Sequence, residues 1–70
     1  MYRFEDMLDQ TIVDLLDDVP RPLGRLYLAV DARIHPHFVT WRTVKHRLQQ
    51  LAIDGFVFFD HDANVWRVNG

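Results

Sequence analysis

Seventy residues amount to one domain, and ten acids against eight Lys and Arg leave it at a formal −2. The absence of cysteine excludes disulfides, thiolate metal sites and a Cys nucleophile. Nearly half the residues are apolar, too many for a disordered tail, yet no apolar run approaches the ~18 residues of a membrane span. Arg3, Glu5, Asp6 and Asp9 interrupt any secretory leader, so the expectation is a cytoplasmic domain with a small core and no membrane partner.

The charge is unevenly placed. Glu5, Asp6, Asp9, Asp14, Asp17 and Asp18 against Arg3 set residues 1–18 at −5. Arg21, Arg25, Arg33, Arg42, Lys45 and Arg47 against Asp31 set residues 19–53 at +5, and Arg67 against Asp54, Asp60 and Asp62 sets the remainder at −2. A basic middle between acidic ends points to an oriented electrostatic partner, or to halves that neutralise each other within one fold.

In chain order, Phe4, Leu8, Ile12, Leu15, Leu16 and Val19 recur at three- and four-residue spacing, which predicts an amphipathic helix over 4–19, stopped by Pro20. Asp17 and Asp18 at its negative end call for a nearby arginine, Arg21 or Arg25. Leu23, Leu26, Tyr27 and Val30 predict a second helix over 22–31, with Pro22 in its first turn. Residues 32–39 hold His35-Pro36 and break the period; Ile34, Phe38 and Val39 are expected to plug the core from this loop. Thr40 suits an N-cap, Val44, Leu48, Leu51 and Ala52 form one stripe, and Gly55 suits a C-terminal cap, giving a third helix over 41–54. Phe56–Phe59 and Val65–Val68 around Asp60–Asn64 read as a hairpin over 56–68, with Trp66 and Val68 on the core side.

The stretch Val39-Thr40-Trp41-Arg42-Thr43-Val44-Lys45-His46-Arg47-Leu48-Gln49-Gln50-Leu51 followed by Gly55-Phe56-Val57 resembles the winged helix-turn-helix DNA-binding superfamily, in the manner of a small repressor-like member. Thr43-Val44, Leu48, Leu51 and Gly55-Phe56-Val57 stand where those repressors carry Thr-Val, Leu, Leu and Gly-Leu-Val. The resemblance covers about residues 8–68. It implies one mainly α, α+β domain of three helices with a C-terminal β-hairpin wing. It also implies sequence-specific binding of double-stranded DNA by helix 41–54, in the service of transcription regulation.

The chemistry of the third helix agrees. Arg reads guanine bidentately, Gln reads adenine, and flanking cations neutralise phosphate. Arg42, Lys45, His46, Gln49 and Gln50 supply base and phosphate contacts on the face opposite the stripe, with Thr40 and Thr43 near the helix start. Arg25, Arg33 and Arg47 are expected to position the backbone, and His61, Asn64 and Arg67 are the available donors of the wing, where Asp60 and Asp62 oppose phosphate. A solvated helix face is the bland reading of the same residues. Trp41 and Trp66 are expected at the core edge and in the core. A module of this size buries only about 600–1,000 Å² on DNA, so tight binding calls for a homodimer or tandem sites.

No cofactor, metal or catalytic group is expected. His35-x-His37 lacks a third ligand, Asp60-x-Asp62-x-Asn64 lacks the glycine and terminal Glu of a calcium loop, and the chain has no serine. Asp31 with His35 or His37 is a pairing common by chance. The alternative function is a winged-helix protein-interaction module, an adaptor or inhibitor of another nucleic-acid-binding protein.

Overall fold

The computed structural model describes residues 4–34 and 39–69, without the side chains of Phe4 and Glu5. The order is α1 (Phe4–Asp18), α2 (Leu23–Ile34), α3 (Trp41–Ile53), β1 (Val57–Asp60) and β2 (Val65–Val68), a three-helix unit followed by an antiparallel hairpin. This is the expected helical class with a C-terminal ribbon.

On α1, Leu8, Thr11, Ile12, Leu15 and Leu16 are buried along a single stripe. Thr11 is polar, and its hydroxyl donates to the Met7 carbonyl one turn back at 2.8 Å. The helix ends one residue before the expected Val19, which lies exposed beyond it. Arg21 compensates that terminus. Its Nε donates to the Leu15 carbonyl at 3.5 Å, and its Nη2 lies 3.7 Å from Asp18. Arg25, the other candidate, is exposed.

Pro22 precedes α2 rather than opening it, and its carbonyl accepts from the Leu26 N–H at 2.9 Å. Leu26, Val30 and Ile34 are buried at successive four-residue steps. Ile34 therefore reaches the core from the helix, not from a loop: α2 runs three residues past Asp31. A proline restricts only the residue before it, so Pro36 leaves Ile34 free to stay helical. Val39 is buried from the linker, as expected. His35, Pro36, His37 and Phe38, with the turn and the core plug expected there, lie outside the described residues.

Helix α3 has defined ends. Thr40 accepts from the Thr43 N–H at 3.2 Å in an extended conformation. At the other end the helix stops at Ile53, one residue inside the expected boundary, with Asp54 as the C-cap. Gly55 takes φ +86°, its N–H reaches the Ala52 carbonyl at 3.1 Å, and the Phe56 N–H reaches Leu51 at 2.9 Å. This paired closure needs a left-handed residue, which glycine adopts without steric cost.

The hairpin pairs Val57 with Val68, Phe58 with Arg67, Phe59 with Trp66 and Asp60 with Val65. Alternation puts Val57, Phe59, Trp66 and Val68 on one face. Val57 is buried, while Trp66 and Val68 are half-buried against the core. Trp66 meets Phe59 edge-on at 5.3 Å. The turn closes through Asp60, whose Oδ1 accepts from the Asp62 and Ala63 N–H groups at 3.0 and 3.1 Å, and through Asn64 at φ +60°. Two further ties anchor the ribbon. Asn69 donates from its backbone to Phe56 and from its side chain to Gly55. Arg21 and Trp66 exchange backbone hydrogen bonds of 3.3 and 2.8 Å, joining the α1–α2 linker to β2. The core lies where the three helices meet the inner face of the hairpin, around Leu8, Ile12, Leu16, Leu26, Val30, Val44, Leu48 and Val57.

Candidate nucleic-acid interface

Burial of Val44, Leu48 and Leu51 fixes the rotation of α3 and so decides which side meets solvent. At 100° per residue Arg42, His46 and Gln49 fall opposite that stripe, and all three are exposed, as is Lys45 beside them. Gln50 is half-buried on the flank. Thr40 and Thr43 are exposed at the helix start with hydroxyls 3.0 Å apart, so each oxygen already has a partner.

Trp41 departs from its expected place at the core edge. It is 51% exposed, and the Lys45 Nζ stands 5.4 Å from its ring centroid. The ammonium makes a cation–π contact with the half-exposed ring. The face thus presents Arg42 and Lys45 with an indole alongside.

Two arginines expected to meet DNA are held by carboxylates within the fold. Arg47 donates from Nε and Nη2 to the two oxygens of Asp9 at 2.8 and 2.6 Å, both side chains only about a fifth exposed. It ties α3 to α1. Arg67 donates through Nε to Asp60 at 2.8 Å across the hairpin. That bond, helped by the Ala63 and Asp62 N–H groups and opposed by slight desolvation, holds the Asp60 carboxyl below the usual aspartate range. Of the two carboxylates expected to repel phosphate at the hairpin tip, Asp60 is internally compensated, and Asp62 is exposed. His61 is exposed and packs edge-on against Phe59 at 4.8 Å.

Arg25 and Arg33 are exposed on α2 and make no ion pair among the described residues. The exposed cations of the middle region are therefore Arg25, Arg33, Arg42 and Lys45. Sequence reasoning missed both the Trp41–Lys45 pair and the capture of Arg47. The i,i+4 spacing of the first was readable, whereas the partner of Arg47 lies 38 residues away.

Among the described residues no group of three or more His, Asp or Glu could hold a metal ion, and no helix is long and apolar enough to cross a membrane. Compared with known proteins, the chain matches no family model, no curated protein and no solved structure.

Proposed function

We propose that this chain is a small winged-helix DNA-binding protein, a repressor-like regulator of transcription that lays α3 in the major groove. One observation carries the reading: Arg42, Lys45, His46 and Gln49 are exposed on one side of α3, while its opposite side is held in the core. A groove about 12 Å wide accepts one such helix. Arg42 is suited to guanine, Gln49 to adenine, and Lys45 with Arg25 and Arg33 to phosphate. At the hairpin tip His61 and Asn64 are exposed donors, while the Arg67 Nε is held by Asp60. Two copies on a two-fold site would supply the contact area that one copy lacks.

Selection from a random duplex library, followed by a salt titration of the selected site, tests this. A recovered motif whose affinity falls steeply with salt supports it, and a palindromic motif adds the dimer. Failure to retain any duplex at ~50 mM salt overturns it. In that case the runner-up, a protein-interaction module, is favoured by Ile53, which is 75% exposed at the end of α3.

A further inference from the structure

The side of the molecule where α1 meets the end of α3 carries a second surface with the opposite electrostatics. A groove of about 400 Å³ is lined by Asp6, Asp9, Gln10 and Val13 of α1, with Leu51 and Phe56. The C-terminal closure of α3 puts Phe56 there at 56% exposure, so an aromatic ring forms one apolar wall beside Val13 and Leu51. The rim carries Asp6, Asp9 and Gln10, of which Asp9 is offset by Arg47, and the exposed Asp17 follows Val13 by four residues on α1.

Helix α1 carries six carboxylates and no cation in its fifteen residues. Asp14 with Asp17 and Asp14 with Asp18 are like charges at the spacings where side chains meet, which disfavours the helix. Asp17 and Asp18 also sit at its negative end. Within the fold Arg47 offsets Asp9 and Arg21 offsets Asp18. Asp14 and Asp17 are exposed and have no ion-pair partner among the described residues; Asp14 only accepts from Gln10 at 2.8 Å. A cation brought from outside relieves that repulsion. Phosphate-rich partners, nucleic acid or an anionic membrane, are repelled by the same rim.

We infer that this groove docks a cationic amphipathic segment of another protein, with a large apolar side chain between Val13 and Phe56 and Lys or Arg facing Asp14 and Asp17. This is the helix-in-groove mode of recognition, with the charges setting orientation and on-rate. The surface is separate from the exposed face of α3, so it adds to DNA reading and does not depend on it.

The test uses a fluorescein-labelled 14-residue peptide with Leu on one helical face and Lys on the other, titrated with the whole chain and followed by anisotropy. Two control peptides replace every Leu with Ser or every Lys with Glu. Saturable binding by the first peptide alone is expected. It should weaken on the order of tenfold in the exposed-surface variant Asp14→Lys/Asp17→Lys, and by a similar factor in Phe56→Ser, about 1.4 kcal/mol each. The charge variant touches no buried residue and keeps the test valid if Phe56→Ser fails to fold. Equal binding by the Ser peptide overturns the groove, because only general electrostatic attraction would remain. Self-association of the chain, abolished by the same charge change, overturns it in favour of a second copy as occupant. Duplex binding measured in parallel should be retained in both variants.

Discussion

Arg47 and Asp9 form a two-pronged ion pair between helices that are far apart in sequence, with donor distances of 2.8 and 2.6 Å. The fork geometry fixes the rotation of α3 against α1 as well as neutralising two charges. Replacing Asp9 with Asn leaves a partly buried guanidinium short of its counter-charge and should cost about 1–3 kcal/mol, read from the urea midpoint. Arg47→Ala should destabilise by a similar amount yet leave the salt dependence of DNA affinity unchanged. A slope reduced by about one unit in that variant would place Arg47 on a phosphate after all.

Four exposed cations on α2 and α3 set the electrostatic ceiling. If Arg25, Arg33, Arg42 and Lys45 all reach phosphate, log affinity against log salt should have a slope of about −3 to −4. Lys45→Ala should flatten it by about one unit without altering sequence preference. Arg42→Ala should instead cost about 1–3 kcal/mol and relax preference at one base position. Unaltered binding in both variants would take α3 out of the groove.

The ends of α3 can be tested without touching either face. Thr40→Ala removes the cap to Thr43 and should lower stability by about 1 kcal/mol. Gly55→Ala has open space for its Cβ, so its expected cost of about 1–2 kcal/mol comes from the +86° φ alone. Gly55→Asn should lose less, since Asn tolerates the left-handed region. Thermal melts should place Gly55→Ala below Gly55→Asn, and Thr40→Ala below the parent.

Acid should destabilise the fold through the hairpin turn. The Asp60 carboxyl, held down chiefly by Arg67, has a folded-state pKa below its unfolded value. Its contribution is complete above the unfolded value, near about pH 4, and is lost as pH falls through the folded one. Asp60→Asn should be less stable than the parent near neutrality, and that difference should shrink below about pH 4. A difference independent of pH would show that the Arg67 contact contributes nothing through charge.

The two tryptophans report different places. With Trp66→Phe, the remaining Trp41 should emit further to the red and be quenched more by acrylamide than Trp66 in the Trp41→Phe variant, because Trp41 is 51% exposed. Added duplex should shield Trp41 if it flanks the groove-bound helix, and no change would leave it outside the contact.

Periodicity and capping chemistry located the three helices, the hairpin and its inward face, because those properties are written in neighbouring residues. The end of α2 was legible too, at Ile34, four residues after Val30, but the proline two positions later was given more reach than its sterics have. Arg42, Lys45, His46 and Gln49 followed from helix rotation. The ion pairs of Arg47 with Asp9 and of Arg67 with Asp60 were not readable. Each charge faces a choice between solvent and an internal partner, and the choice is made by how elements pack. Trp41 was misplaced for the related reason that an apolar residue at a helix start buries itself only if another element happens to cover it.

The backbone bridge between Arg21 and Trp66 has a consequence for how the protein opens. A two-stranded ribbon is marginal by itself, and this one is stitched to the α1–α2 linker, two helices back in the chain. That bridge closes a long loop and ties the ribbon to the helices as well as to its own turn. The Trp66 amide, bonded to Arg21, should therefore exchange with solvent deuterium as slowly as the Leu48 amide at the centre of α3, so that hairpin and helices melt as one cooperative unit.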